Sequence, residues 1–455
     1  MALAELAGKI NRAIENEAPA LFEALSPLGR AAAFPPDIPF QAQQARGKAF
    51  NATTGQITDG RGKGIPMKPI RAALAGLSDE DSNQALLYSP IAGIPELRQA
   101  WMDWQRRHDS SGKPSTLPLV TVGLTHGLSL AADLFAGPET PVAVPKPFWG
   151  NYRQSFALRR GARLVTAPAY REGRYNTRAI AEALQGVPAG QPALAILNFP
   201  SNPGGYSATV QERRELCDTL LSQAEQRPLV VICDDAYSGL VYAQGVPRTS
   251  IFWDLIGLHD NLIPVKVDGA TKEFDFFGGR VGFLSFAFEP GSEAAAALES
   301  KVTCLLRATL GSPVATSQVL LLQALRDGSI QDQVEAVRQL LQGRYQVLQQ
   351  ALAEADHELL VPMPFNAGCF ALIELPERLG LKAEEVRLHL LDSYDTGLVS
   401  IQPNFLRVAF CSVAREALPE LVRRIESGVR ELATGESPRK CAKDHTKTSR
   451  KGERP

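Results

Sequence analysis

Two stretches of the sequence decide the fold. Residues 229–237 read LVVICDDAY, and residues 264–272 read PVKVDGATK. Each begins with a short run rich in β-branched residues and ends in polar ones, and helix-like sequence follows. A run such as LVVIC, without alternation of polar and apolar residues, is typical of a strand that helices cover on both faces. Both stretches therefore predict interior strands of an α/β protein.

The same pattern repeats from about residue 117 onward. It predicts an α/β fold whose large domain has a mainly parallel seven-stranded sheet covered by helices. We expect this large domain to span residues 65–325. The seven predicted strands are 119–122, 142–144, 164–167, 193–197, 229–233, 264–267 and 281–286.

A smaller domain is predicted after the large one. Helical stretches at 294–309 and 330–355 indicate a connector, and residues 358–432 contain further strand candidates and a terminal helix. This pattern predicts a smaller α+β domain of residues 326–433, joined by an N-terminal arm of residues 1–64. Residues 434–455 are basic with almost no apolar side chains, so we expect a disordered tail.

Composition limits the possible partners. The 455 residues include 48 basic and 49 acidic side chains, so the formal net charge is -1. This balance gives no electrostatic reason to expect a nucleic acid or membrane partner. Pro and Asn interrupt the apolar stretches well before the roughly 18 residues that a membrane span requires. The first twenty residues lack the basic start and apolar centre of a secretory signal, so we expect a cytoplasmic protein.

Several kinds of site are disfavoured by the motifs that the sequence lacks. The six cysteines and six histidines are scattered without zinc-site spacing, so no protein-built metal site is expected. No GxSxG elbow or GxxxxGK[ST] loop occurs, and GRGKG at 60–64 does not fit the GxGxxG spacing. Serine hydrolase, P-loop and dinucleotide-binding functions are therefore disfavoured.

Residues capable of chemistry follow the predicted strands. Asn202 follows the fourth strand, and Asp234 ends the fifth, with Tyr237 three residues later. Lys272 follows the sixth strand, and Arg280 lies eight residues further on. Because ligands of open α/β sheets bind beyond the carboxyl ends of the strands, we expect these five side chains to converge on one crevice.

This set resembles the class I/II aminotransferases, the aspartate-aminotransferase-like group of pyridoxal-phosphate (PLP) enzymes with fold type I. The resemblance covers most of the chain, and the order and separation of its motifs make coincidence a poor explanation. It implies a PLP-dependent transaminase that transfers the amino group of an L-amino acid to a 2-oxo acid in two half-reactions, a ping-pong cycle. The motifs are NATTG at 51–55, YSPIAG at 88–93, NPGG at 202–205, DDAY at 234–237, Lys272, GGRVG at 278–282 and LRVAF at 406–410.

The resemblance gives catalytic roles to Lys272, Asp234 and Tyr237. Lys272 would hold PLP as an internal aldimine and later move a proton, which requires a pKa below the usual value of roughly 10.4. Asp234 would face the protonated pyridine nitrogen, and only the spacing to Tyr237 distinguishes it from Asp235. Asn202 and Tyr237 match positions that hydrogen-bond the phenolate oxygen of PLP. Their local alternatives are a turn at NPGG and an ordinary core tyrosine.

A phosphate cradle is implied by the same resemblance. The amides of Leu124 and Thr125 at a helix start, the Thr125 hydroxyl and the Arg280 fork would hold the phosphate. Gly269 departs from the family, since a phosphate-binding serine is usual at that position. We expect Thr271 to compensate for the missing serine.

Two aromatic residues complete the implied cofactor site. Trp149, in the motif PFWGNY, matches the aromatic residue that stacks on the PLP ring, with ordinary core packing as the alternative. Tyr88 resembles the residue that reaches the phosphate from the neighbouring subunit. The resemblance therefore predicts a homodimer with shared active sites.

The substrate site is implied by four residues. Arg407 matches the arginine that clamps the substrate α-carboxylate, with Asn202 beside it and Gly55 in the loop that closes over it. Arg307 resembles the arginine that binds the distal carboxylate in dicarboxylate-specific members, although a helix-surface arginine is the alternative. A preference for glutamate or aspartate is therefore a hypothesis.

Two other functions stay open at this point. A PLP-dependent β-lyase or related synthase would need Lys272, Asp234 and Arg407 equally and would differ in the bond that breaks. A non-catalytic PLP-binding sensor would carry a DNA-binding module ahead of the domain. The 50 residues before NATTG contain no basic recognition helix, so the sensor is disfavoured.

Overall fold

Helices and strands alternate along the chain as the sequence predicts. The computed structural model describes residues 3–35, 37–401 and 403–435. Within these residues the α-helices are α1 (Leu3–Glu17), α2 (Pro19–Ala24), α3 (Pro27–Ala31), α4 (Ile38–Gln44), α5 (Lys68–Ala75), α6 (Asp79–Leu86), α7 (Pro95–Arg106), α8 (Gly123–Phe135), α9 (Ala179–Ala183), α10 (Val210–Ala224), α11 (Phe252–Leu255), α12 (Ala270–Glu273), α13 (Glu293–Thr309), α14 (Ala315–Arg326), α15 (Ile330–Ala353), α16 (Ala383–Ser393) and α17 (Leu418–Thr434). The strands are β1 (Phe50–Asn51), β2 (Leu119–Thr121), β3 (Pro141–Lys146), β4 (Arg163–Pro168), β5 (Tyr170–Arg171), β6 (Arg174–Tyr175), β7 (Ala193–Asn198), β8 (Leu229–Asp234), β9 (Leu262–Gly269), β10 (Gly282–Phe286), β11 (Val361–Pro362), β12 (Ala371–Glu374), β13 (Thr396–Gly397), β14 (Val399–Ile401) and β15 (Phe405–Val408).

The predicted seven-stranded sheet is confirmed, and each predicted strand overlaps one of its members. Its strand order is β2-β10-β9-β8-β7-β3-β4. The pairs from β9 through β8, β7 and β3 to β4 are parallel, whereas β10 runs antiparallel to both β9 and β2. The sheet is therefore mainly parallel, with one reversed strand near an edge.

Helices cover both faces of this sheet, which explains why strand β8 has no polar-apolar alternation. Val230 and Ile232 pack in a core that also contains residues of α8 and α13. Val231 and Cys233 pack in a second core with residues of α9, α10 and α11. Side chains on both faces are thus removed from water, and burial of each stabilises the fold by about 1.5–3 kcal/mol.

A second, antiparallel sheet has the strand order β11-β12-β15-β14. It packs in a core with residues of α15, α16 and α17. The short strand β1 pairs in parallel with β13, which joins the N-terminal part of the chain to this region. The structure therefore has the smaller α+β unit that the sequence predicts, while the domain boundaries at residues 65, 326 and 433 stay predictions.

Helix α17 ends at Thr434, and Gly435 follows in a left-handed conformation. The rest of the predicted basic tail, residues 436–455, lies outside the described residues. Within the part of the chain that the structure covers, no helix combines the length and the apolar character that a bilayer crossing demands. The cytoplasmic location stays a prediction.

Candidate active site

A cavity of about 590 Å³ lies at the carboxyl edge of the seven-stranded sheet. The parallel strands end at this edge, and the reversed strand β10 begins there, so the residues that flank them meet. Most of the predicted site residues line this one cavity. They are Gly55, Leu124, Thr125, Trp149, Asn202, Asp234, Tyr237, Thr271, Lys272, Arg280 and Arg407.

Asp234 is a buried carboxylate at the end of strand β8, with 2% of its surface exposed. The Tyr152 hydroxyl donates to Asp234 Oδ2 at 2.6 Å, and the Ala236 N–H donates to Oδ1 at 3.2 Å. Burial raises the pKa of Asp234 to about 6, although the Tyr152 hydrogen bond opposes that rise. A cation that enters the cavity beside this carboxylate would stabilise its ionised form.

Asp235 points away from the cavity, which settles the ambiguity between the two aspartates. Its carboxylate lies 2.7 Å from the amine of Lys266, and that amine also lies 2.7 Å from Asp268. All three side chains are buried. Asp234 is therefore the carboxylate that faces the cavity, and Asp235 belongs to a separate buried ionic network.

Lys272 projects into the cavity from the short helix α12. Its amine donates to the Gly55 carbonyl at 3.1 Å and lies 4.5 Å from the centre of the Phe277 ring. Burial lowers the pKa of Lys272, and the cations of Arg407 and Arg280 act in the same direction. The surroundings thus increase the neutral fraction of this amine, which a nucleophilic lysine requires.

The start of helix α8 forms a polar end of the cavity. Leu124 and Thr125 lie in its first turn, and the Arg280 guanidinium lies against Gly123. Gly123 has φ +74, and a Cβ there would collide with Arg280 Nη2. The buried hydroxyl of Thr271 lines the cavity and has no hydrogen-bond partner among the described residues. A helix N-terminus, a guanidinium and an unpaired hydroxyl fit an anion such as phosphate.

Close packing explains why this chain has glycine at position 269, where a phosphate-binding serine is usual in the family. Its φ of 168 is extended, so the backbone conformation would suit any residue. A Cβ at Gly269, however, would lie 2.6 Å from the Val281 carbonyl oxygen and 2.9 Å from the Gly282 Cα. Both are backbone atoms that cannot rotate away. Strand β10 therefore leaves no room for a serine at this position.

We expect Gly269→Ser to destabilise the protein by about 1–3 kcal/mol, because overpacking forces the two strands apart. It should not strengthen PLP binding. Chemical denaturation and a PLP titration of the apoprotein measure the two effects. Gly328→Ser is the matched control, since a Cβ at Gly328 meets no atom within 4 Å. Tighter PLP binding with unchanged stability would contradict the steric explanation.

Arg407 enters the cavity from strand β15 and is 1% exposed. Its Nη1 donates to Asn202 Oδ1 at 3.0 Å, and its Nη2 donates to the Thr53 carbonyl at 2.6 Å. The guanidinium carbon lies 4.3 Å from the centre of the Phe370 ring. Arg407 Nε is buried without a partner in the described chain. The guanidinium is therefore rigidly held at the cavity, where its charge would attract an anionic ligand.

Tyr88 and Arg307 are not brought to this cavity. Tyr88 is 97% exposed and lines a separate surface hollow with Leu86, Leu87 and Pro313. Arg307 is exposed on helix α13. The roles that the sequence assigns to these two residues stay predictions.

The sequence did not predict three features of the site. Tyr152, which donates to Asp234, lies one helical turn after Trp149, and the two rings pack edge to face at 5.6 Å. Asn198 ends strand β7, and its side chain bonds to the backbone of both Asp234 and Asn202. Reading the last residue of each strand, rather than the following motif, would have found Asn198. The third feature is an N-terminal segment along one wall, which had no sequence signal.

Comparison with known proteins identifies the family. The family described as aminotransferase class I and II matches residues 48–425. The 2-aminoadipate transaminase of Thermus thermophilus is 27% identical over 386 residues, which covers 81% of this chain and 87% of that protein.

Solved structures share the fold. An aminotransferase from Anaerococcus prevotii superposes with a TM-score of 0.77 at 20% identity, covering 89% of this chain and 98% of that one. The kynurenine aminotransferase of Pyrococcus horikoshii, solved in complex with PMP, superposes with a TM-score of 0.75 at 16% identity, covering 90% of this chain and 98% of that one.

The fold is that of a PLP-dependent enzyme of fold type I. The family match spans most of the chain, and the chain belongs to the class I and II aminotransferases. It is therefore a transaminase that uses PLP, as the sequence predicted.

Proposed function

We propose that this cavity binds PLP and transfers the amino group of an L-amino acid to a 2-oxo acid, with Lys272, Asp234 and Arg407 as the principal residues. The observation that carries the assignment is that all three line one cavity together with Arg280. They supply an amine, a buried carboxylate and two guanidinium groups. When bound, PLP supplies an electron-accepting ring that stabilises negative charge on the substrate Cα.

The residues at the two ends of the cavity would hold the cofactor. Arg280, the amides at the start of α8 and the hydroxyls of Thr125 and Thr271 would hold the phosphate. Asp234 would hold the protonated ring nitrogen at the other end. The unpaired Thr271 hydroxyl and the close approach of Gly123 to Arg280 support this fit. Trp149 would pack on the ring, and Asn202 and Tyr237 would bond its phenolate oxygen.

Asp234 keeps a negative charge in a place where burial opposes it. The Tyr152 hydroxyl and the Ala236 N–H share that charge through hydrogen bonds. A protonated ring nitrogen would favour the ionised carboxylate further, since opposite charges lower a carboxyl pKa. Asp234 would in turn keep the proton on that nitrogen.

Lys272 would bind the cofactor covalently through Nζ until the amino group of the substrate displaces it, and the freed Nζ would then act as the base. Its depressed pKa favours the neutral amine, which can take the proton from the substrate Cα. The bond to the Gly55 carbonyl places Nζ beside the loop that would cover the substrate. Lys272 would therefore hold the proton at Nζ between its removal from the substrate Cα and its delivery to the cofactor.

Arg407 would orient the amino acid by its α-carboxylate. Asn202, Thr53 and Phe370 hold the guanidinium in place before substrate arrives, so little side-chain freedom is lost on binding. With the carboxylate fixed, the substrate Cα would lie within reach of Lys272.

We also propose that the active protein is a homodimer in which Tyr88 completes the site of the second copy. Leu86, Leu87 and Tyr88 are 82%, 69% and 97% exposed, and Val314 beside them is 50% exposed. An apolar run of this kind supports an interface with another copy of the chain. Sedimentation equilibrium tests this proposal, and a mass of a single chain at working concentration would contradict it.

The experiment that tests the function uses the purified holoenzyme. We expect a visible absorption band from bound PLP that borohydride removes and that shifts when an amino acid is added. Without an acceptor, the amino acid should yield its 2-oxo acid only in an amount equal to that of the enzyme. When a 2-oxo acid acceptor is added, the reaction should become catalytic. Continued turnover without an acceptor would instead indicate a lyase.

A further inference from the structure

The outer wall of the cavity is an N-terminal segment that has no role in the assignments above. We call residues 33–35 and 37–39 the N-terminal wall. Phe34, Pro35, Ile38 and Pro39 from this wall line the cavity. Phe34 is 69% exposed, so its ring stands at the opening with a large apolar surface in contact with water.

The N-terminal wall is held in place by polar contacts. Asp37 Oδ1 accepts from the Ile38 N–H at 2.7 Å and caps helix α4. The side-chain amide of Gln41 on that helix accepts from the Ser400 N–H at 2.8 Å and donates to the Ser400 carbonyl at 3.4 Å, and Ser400 lies on strand β14. Asp37 Oδ2 also lies against Gly150, where a Cβ would come within 2.7 Å of it. The wall is thus anchored to the small sheet and contacts the loop that carries Trp149.

The charges along the cavity disfavour a second carboxylate on the substrate. Among the described residues that line it, the cations are Lys272, Arg280 and Arg407, and each already has an assigned partner. The other two described charged residues that line the cavity are acidic. They are Asp234 and Asp37, and Asp37 belongs to the N-terminal wall itself. A substrate side chain that reaches the wall would therefore meet apolar rings and a like charge if it were acidic.

We infer that the preferred amino donor has a large, uncharged, apolar side chain that packs on Phe34 and Ile38, and that Asp37 acts against aspartate and glutamate. This inference rests on the proposed function, because it requires Arg407 to hold the α-carboxylate. Burial of the exposed Phe34 ring by a substrate side chain is favourable in proportion to the apolar area removed from water. The acidic donors lack that gain and meet like-charge repulsion.

The holoenzyme is tested first with a panel of donors. We expect kcat/KM for leucine, methionine and phenylalanine to exceed that for aspartate and glutamate by about tenfold or more. Binding is measured separately by calorimetry with two unreactive carboxylates, 3-phenylpropanoate and glutarate. The first should bind about tenfold more tightly, because both can reach Arg407 but only glutarate brings a second charge to the wall.

Variants then test whether Phe34 and Asp37 cause this preference among amino donors. Phe34→Ala should lower kcat/KM for phenylalanine about tenfold while that for alanine changes little, since alanine is too short to reach the wall. Phe40→Ala is the matched control, because Phe40 lies on helix α4 directly after the N-terminal wall, is 44% exposed and does not line the cavity. Asp37→Asn keeps a capping oxygen and should raise kcat/KM for glutamate about fivefold.

The outcomes separate this inference from the function on which it rests. Preference for aspartate or glutamate in wild type, or equal effects of Phe34→Ala on phenylalanine and alanine, would overturn the inference and leave the transaminase assignment intact. If no amino acid shifts the absorption band or yields a 2-oxo acid, both the function and the inference fail.

Discussion

Lys272→Ala should abolish amino transfer, with a loss of about 1,000-fold or more in kcat/KM. The substitution removes the one amine among the described residues that lines the cavity. PLP should still bind through the phosphate cradle and Asp234, but borohydride should no longer attach it covalently to the protein. Stopped-flow absorbance with phenylalanine measures the remaining half-reaction. The reason is chemical, since without Nζ the described residues that line the cavity offer no amine to take the proton from the substrate Cα.

Two controls distinguish chemistry from folding in this experiment. Lys301→Ala removes an exposed lysine of helix α13 and should leave the rate and spectrum unchanged. Added methylamine should restore part of the rate of Lys272→Ala, because a small amine can occupy the space that the side chain leaves. A variant that keeps its activity within tenfold of wild type, and to which borohydride still attaches PLP covalently, would remove Lys272 from the proposed mechanism.

Much of the cavity could be predicted from the sequence because strand ends are a local signal. Apolar runs ending in Asn, Asp or Lys place Asp234 and Lys272 at one edge of a parallel sheet, and the structure has both in the same cavity. The sequence selects Asp234 over Asp235 only by its spacing to Tyr237. Both carboxylates are 2% exposed, and only the position of Lys266 reveals which one is already paired.

What the sequence did not predict depends on contacts between distant segments. The bond from Tyr152 to Asp234 joins residues 82 positions apart, and Gln41, just after the N-terminal wall, bonds Ser400, which is 359 positions away. The packing limit at Gly269 likewise comes from strand β10. Such contacts have no short motif, since they arise from how complete elements pack.

Two buried ion pairs involve the residues that directly follow Asp234 and Lys272 in the sequence. Lys266 pairs with Asp235, the residue next to Asp234, and Arg107 pairs with Glu273, the residue next to Lys272. Burial alone would lower the pKa of Lys266, but the carboxylates of Asp235 and Asp268 outweigh it and raise that pKa. Lys266 is therefore a cation that two buried carboxylates require.

Lys266→Met should destabilise the protein by about 3–5 kcal/mol at neutral pH, because it leaves Asp235 and Asp268 buried without a counter-charge. Burial already raises the pKa of Asp235, and without the Lys266 cation that pKa should lie further above its unfolded value. The folded state of the variant would bind more protons than the unfolded chain, so its stability should fall as pH rises from about 5 to 8. Chemical denaturation at fixed PLP and protein concentrations measures both effects.

Lys301→Met replaces an exposed lysine and should change stability little. Adding Asp235→Asn to Lys266→Met should recover part of the loss. A Lys266→Met variant as stable as wild type at pH 8 would show that the fold does not depend on this cation.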